Sequence, residues 1–209
     1  MNRRFFLQLG FPLILLAACS KRPKFTALPT GSQVLAFGDS ITYGTGAQPG
    51  EDWPTKLALL TGWQIINAGL PGDTAEAARS RIQPLLDEHK PALVILEIGG
   101  NDFLRRRPAR IIKEDIRALV RSCQDSGAKV VLVGVSELSL LAVVAGKPSD
   151  SPLYAELGAE EGVPVIADVF SNVLAKPELC ADKIHPNAHG YQQMGQGIAD
   201  KLRYLGLVS

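Results

Sequence analysis

From Gly31 onward, short runs of β-branched and aliphatic residues alternate with longer amphipathic stretches, and that alternation leaves the chain few folds to adopt. Gln33–Phe37, Gln64–Asn67, Leu93–Ile98, Lys129–Val135 and Val163–Ile166 read as strands. They are continuous apolar runs rather than alternating ones, the pattern of strands covered on both faces. Trp53–Thr61, Asp73–Leu86, Ile111–Ser126 and Tyr154–Glu161 read as helices between them, and Asn187–Leu205 as a last one. In the third helix Ile111, Ile112, Ile116, Leu119 and Val120 recur at helical spacing, and Gly127 follows as a stop. Asp73 and Glu76 stand three apart at the start of the second, which suits an N-cap with its return partner. Strands alternating with helices predict one doubly wound α/β domain on a parallel sheet, covering residues 31–209.

The first eighteen residues are a different material. Arg3 and Arg4 precede Phe5-Phe6-Leu7 and the apolar run Phe11 to Ala18, with no acidic residue among them. A basic start and an apolar stretch too short to span a bilayer, interrupted by Gln8, Gly10 and Pro12, read as an export signal over 1–18. The Arg3-Arg4-Phe5-Phe6-Leu7 run is also similar to a twin-arginine motif, so either export route fits. Leu16-Ala17-Ala18-Cys19 resembles the bacterial lipobox, in which the cysteine becomes the lipidated first residue. Residues 19–30, with Lys21, Arg22, Pro23, Lys24 and Pro29, then read as a short basic tether. The expected setting is the bacterial cell envelope, with the chain lipid-anchored to a membrane through Cys19 and facing the periplasm or exterior.

Removal of 1–18 takes Arg3 and Arg4 from the 22 basic residues and nothing from the 21 acidic ones, which leaves the charge near neutral. No basic surface is implied, so nucleic acid is not expected as a partner, and a monomer is. Cys123 falls in a helix and Cys180 in a loop; whether they pair is not fixed by the sequence.

Three short words stand at or near strand exits: Gly38-Asp39-Ser40, Gly100-Asn101-Asp102 and Asp182-Lys183-Ile184-His185. In doubly wound sheets ligands gather at the carboxyl ends of strands. Ser40 follows a glycine that lets the chain turn off the first strand, as a nucleophile on a rigid support requires. Thr42 stands where the Gly-x-Ser-x-Gly elbow of the α/β-hydrolases would have its second glycine. Asn101 offers an amide donor for an oxyanion, while Asp102 is expected to shape its loop. Asp182 and His185, three apart and followed by Pro186, bring a carboxylate to one imidazole nitrogen and leave the other for Ser40. Asp182, His185 and His189 also admit a metal cluster, for which the chain offers no convincing fourth ligand. His189 otherwise reads as a helix-surface residue and His89 as a solvated one.

Gly38-Asp39-Ser40, Gly72-Asp73-Thr74, Gly100-Asn101-Asp102 and Asp182-x-x-His185-Pro186-Asn187 together resemble the four sequence blocks of the SGNH hydrolases, also called the GDSL family. The likeness runs from about Val34 to about Leu202. Asn67-Ala68-Gly69-Leu70-Pro71-Gly72-Asp73-Thr74 and Leu96-Glu97-Ile98-Gly99-Gly100-Asn101-Asp102 are most similar to the periplasmic thioesterase, lysophospholipase and arylesterase branch. The resemblance implies a single three-layer, flavodoxin-like domain with a five-stranded parallel sheet. It further implies Ser40 as nucleophile, Asp182 and His185 as its partners, and an oxyanion hole of Ser40 N–H, Gly72 N–H and the Asn101 side chain, with Gly69 as the alternative glycine. No cofactor or metal is implied. The expected activity is hydrolysis of small-molecule or lipid acyl esters through an acyl-enzyme on Ser40. A carbohydrate O-deacetylase with the same machinery and a catalytically silent binding lipoprotein are the alternatives. Lys183 stands where the family often has a small residue. Ser136–Pro152 departs from the family's substrate loop, and its apolar run Glu137 to Gly146 reads either as an acyl groove or lid, or as a short packed helix.

Overall fold

The computed structural model describes residues 25–137 and 148–208. The export signal, Cys19 and most of the apolar 137–146 run therefore lie outside the described residues. The strands are β1 (Gln33–Gly38), β2 (Gln64–Gly69), β3 (Leu93–Glu97), β4 (Lys129–Val133) and β5 (Val165–Ile166). They form one parallel sheet in the order β2-β1-β3-β4-β5. This is the doubly wound order whose direction of winding reverses between β1 and β3, where such folds open a crevice.

Each strand forms where it was expected, with ends moved by a residue or two. β1 and β3 are sealed on both faces: Val34, Leu35, Ala36 and Phe37 are fully buried, as are Leu93 to Leu96. The edge strand β2 differs, being half-buried or exposed along its length, because only β1 pairs with it. The helices divide between the two faces. The helix α2 (Trp53–Thr61) packs on the last helix, α8 (Ala188–Leu205). On the other face α3 (Ala75–His89) packs on α5 (Ala109–Asp125), and α5 on α6 (Pro152–Glu161).

Three short helices escaped the sequence reading: α1 (Ser40–Tyr43), α4 (Gly100–Leu104) and α7 (Val169–Leu174), together with a 3₁₀ turn at Pro177–Leu179. They are too short to show an apolar period. The expected capping pair at Asp73 is also corrected. Thr74 caps α3, its hydroxyl accepting from the Ala77 N–H at 3.2 Å, while the Asp73 carboxylate is drawn off by Arg81. The segment 19–30 does not run free to its end. The Phe25 N–H donates to Leu205 O and the Leu28 N–H to Leu207 O, and Leu28 is buried. Phe25 to Leu28 are thus tied to the domain, Leu28 joining its apolar core. Cys123 is buried and Cys180 half-buried, and both are unpaired. Burial pushes the Cys123 thiol up to about 12, which leaves it an inert core group.

Position in the sheet sets what each apolar side chain contributes. Ile95→Ala on central β3 should cost about 3 kcal/mol and Ile65→Ala on edge β2 about 1 kcal/mol, read as the shift in urea unfolding.

Candidate active site

Ser40 opens α1 at the end of β1. Asp39 caps that helix, its Oδ1 accepting from the Ile41 N–H at 3.0 Å. Gly38 is needed at this exit: a Cβ there would lie 2.1 Å from Glu97 O and 2.2 Å from the Thr42 hydroxyl. At the other side of the crevice, Asp182, Ile184 and His185 form a tight loop before α8. Asp182 Oδ1 accepts from the N–H groups of Ile184 and His185, each at 2.8 Å. Asn187 caps α8 through the Gly190 N–H and also donates to Glu178 O, which fixes the loop on the helix behind it. Asp182 Oδ2 then lies 2.8 Å from His185 Nδ1, and His185 Nε2 lies 3.1 Å from Ser40 Oγ. Residues 145 positions apart thus meet in the order hydroxyl, imidazole, carboxylate, the geometry of a base-activated serine. Partial burial pushes the Asp182 carboxyl up, but the His185 ring and two backbone N–H groups outweigh it and hold the group below the usual carboxylate range. Lys183 is exposed between them and does not disturb the pair.

The second side of the crevice is the turn Leu70-Pro71-Gly72-Asp73, closed by the Asp73 N–H donating to Leu70 O at 3.1 Å. Proline followed by glycine at φ +82° is the signature of a type II turn, which turns the glycine N–H outward. Apart from the family resemblance, the signal for Gly72 in the sequence is the Pro-Gly pair after the second strand, which by itself marks a turn. Gly72 lines the cavity beside Ser40, whereas the Gly69 N–H is spent on Asn67 Oδ1 at 3.0 Å. Asn101, on α4, closes the third side. Its Nδ2 donates to Asp39 Oδ2 at 3.2 Å and to Asp73 O at 3.0 Å.

Two arginines that sequence reasoning missed hold these loops together. Arg81, from α3, binds Asp73 Oδ2 through Nη2 (2.7 Å) and Nε (3.1 Å). It also donates to Ala68 O and Gly38 O at the ends of β2 and β1, and stacks 4.1 Å over the Phe37 ring. Arg107 pairs with Asp102 and Asp115, while Asp102 Oδ2 accepts from the Ala75 N–H at 2.9 Å. Asp102 shapes its loop, as expected, by tying α4 to the start of α3. Arg105 adds a bond to Gly72 O at 3.1 Å.

The open crevice holds about 220 Å³, bordered by Ser40, Gly72, Asn101 and His185 and by the apolar Ile41, Leu104, Val135 and Phe170. Among the described residues no group of His, Cys, Asp and Glu is arranged to hold a metal ion. Both His185 nitrogens are engaged, and His189 is exposed on α8, so the rival metal grouping does not assemble. His89, read as solvated, is half-buried at the end of α3.

The chain resembles known proteins in sequence and in fold. The model of the GDSL-like lipase/acylhydrolase family matches residues 36–193. The chain is 29% identical to an arylesterase of Vibrio mimicus, over 84% of this chain and 90% of that one. It is likewise 29% identical to thioesterase 1/protease 1/lysophospholipase L1 of Escherichia coli K12, over 82% of this chain and 84% of that one. Among solved structures, one of TesA superposes with a TM-score of 0.73 at 25% identity, covering 83% of this chain and 99% of the other.

Removing the Arg81 guanidinium should strand the Asp73 carboxylate, which is only 4% exposed. Arg81→Met is expected to cost about 3 kcal/mol in urea unfolding. By family match and by the relatives it resembles, the chain belongs to the GDSL-like lipase/acylhydrolases and is a serine hydrolase acting on ester bonds.

Proposed function

We propose that the enzyme cleaves acyl esters through an acyl-enzyme on Ser40, with the acyl chain lodged in the crevice. The hydrogen-bonded series Ser40–His185–Asp182, at 3.1 and 2.8 Å, is the observation that carries the reading. Ser40 Oγ attacks the carbonyl carbon while His185 Nε2 takes its proton, and Asp182 holds the imidazole and balances its positive charge. The carbonyl oxygen, now an oxyanion, receives the N–H groups of Ser40 and Gly72 and the Asn101 amide. Collapse of the intermediate expels the alcohol or thiol, which leaves with the His185 proton. Water then repeats the sequence and releases the acid. The likeness to an arylesterase and to a thioesterase/lysophospholipase supports this class of substrate.

The cavity, at about 220 Å³, lies below the ~300–1,000 Å³ of pockets that take drug-sized ligands, which favours a short acyl group with the leaving group turned outward. A series of p-nitrophenyl esters tests this, with Ser40→Ala as control. kcat/KM should fall about tenfold or more from butyrate to palmitate, and folded Ser40→Ala should lose both turnover and fluorophosphonate labelling. Asn101→Ala should lower kcat about 10²–10³-fold with KM little changed. Turnover by Ser40→Ala at the wild-type rate would sink the acyl-enzyme.

We also propose that the chain is a lipoprotein of the bacterial envelope, anchored through Cys19. The support is the Leu16-Ala17-Ala18-Cys19 sequence, and no helix among the described residues is long and apolar enough to cross a membrane. Cells fed radioactive palmitate should label the wild type and not Cys19→Ser. Equal labelling, with both forms in the membrane fraction, refutes the anchor.

A further inference from the structure

Gly38 on β1 stands in register with Glu97 on β3, and the next residue, Asp39, lies close enough for its charge to raise the Glu97 carboxyl. Both carboxyls are buried, Asp39 at 1% exposure and Glu97 at 0%. Two acids placed together in a dry site do not both ionise, because neither solvent nor a cation offsets the second charge. The donors around them decide which one does. Each Asp39 oxygen accepts an N–H, Oδ1 from Ile41 and Oδ2 from the Asn101 amide. Glu97 draws on Thr42 alone, whose hydroxyl donates to Oε2 at 2.8 Å and whose N–H also favours the charged form, and its other oxygen has no partner among the described residues. Hydrogen bonds to the charged form favour that form, so Asp39 keeps the charge and Glu97 the proton. Among the described residues no cation offers either one a direct ion pair: the neighbouring Asp73 and Asp102 are taken by Arg81 and Arg107, and the remaining facing groups are the hydroxyls of Tyr154 and Tyr191.

The charge has a use. A side-chain amide is nearly symmetric in shape, and only its nitrogen end can donate to an oxyanion. Around Asn101 both neighbours of that end are acceptors, the Asp39 carboxylate and the Asp73 carbonyl. A flipped amide would point its oxygen at both and be repelled. We propose that Asp39 is a positioning residue for Asn101: as the ionised member of a buried pair whose single proton sits on Glu97, it keeps the nitrogen of the amide, rather than its oxygen, at the edge of the cavity, where an oxyanion would take over the N–H now given to the Asp73 carbonyl. This rests on the reading of Asn101 as oxyanion donor. A protonated Asp39 would remove its half of the selection, since its O–H can donate to a flipped Asn101 as readily as its other oxygen accepts from an unflipped one, and would leave the Asp73 carbonyl alone to hold the amide. Burial, followed by the charges of Asp73 and Asp102, outweighs the two hydrogen bonds and raises the Asp39 carboxyl to about 7. Burial, with the charge of Asp39 itself, pushes Glu97 well above the usual carboxylate range. As pH falls the pair therefore gains its second proton on Asp39, and the amide keeps only its bond to the Asp73 carbonyl.

Two measurements test this, one of them independent of turnover. In the NMR spectrum, the Asn101 side-chain amide signals, assigned by their loss in Asn101→Ala, should move with pH around neutrality in the wild type and stay still in Asp39→Asn. In kinetics, the acid limb of log kcat/KM should be steeper in the wild type than in Asp39→Asn, by up to about one in slope. At pH 8, Asp39→Asn should lower kcat about 10–100-fold with little change in KM, because its own amide tolerates either orientation of Asn101. Glu97→Gln exchanges a neutral acid for a neutral amide, so activity at pH 8 and the acid limb should stay as in the wild type; a large loss at pH 8 would place the charge on Glu97 and overturn the proposal, which decides the matter if Asp39→Asn does not fold. Amide signals that do not move between about pH 5 and 9, or an Asp39→Asn enzyme with the wild-type kcat and acid slope, would overturn the proposal. A wild type inactive on every ester would instead refute the esterase reading and leave the NMR result to judge Asp39.

Discussion

Carboxyl groups that must stay out of water are the constraint around which the top of this sheet is organised. Asp39, Asp73, Glu97 and Asp102 are all buried where β1, β2 and β3 end. An unpaired buried carboxylate costs several kcal/mol, so each needs its own compensation. Asp73 takes a two-point grip from Arg81 and Asp102 takes Arg107, while Asp39 leans on N–H donors and Glu97 on a hydroxyl. These compensations tie the Gly72 turn, α4 and the start of α1 into one rigid frame. A crevice that is to meet a developing negative charge without rearrangement needs such a frame.

The layered architecture was legible because it rests on periodicity. Strands sealed on both faces write themselves as Val34 to Phe37 or Leu93 to Leu96, and α5 writes its buried stripe through Ile112, Ile116, Leu119 and Val120. The pieces that were not legible obey local chemistry instead. α1 follows from the Asp39 cap, while α4 and α7 begin at Gly99 and Asp168, both in the left-handed region. The stretch from Phe25 to Thr30 has the composition of a linker, and the one leucine it buries carries no pattern that would say otherwise.

The site divides along the same line. Ser40, Asn101, Asp182 and His185 announced themselves through the words they stand in, and the geometry brings all of them to one crevice. Arg81, Arg107 and Glu97 have no such words. Arg81 meets Gly38 across 43 positions and Glu97 meets Thr42 across 55, separations at which no spacing rule operates. A sequence shows which side chains can do chemistry more readily than it shows which ones hold them still.

The pairing of Phe25 with Leu205, and of Leu28 with Leu207, draws the two ends of the described chain together at the C-terminal end of α8. His185 lies beyond the other end of that helix, about 27 Å away for its 18 residues. Closeness of ends is the condition under which a domain accepts circular permutation or insertion into a host protein. Joined through these neighbouring ends, the domain would carry its crevice on the face turned away from the junction, open to the medium whatever the host.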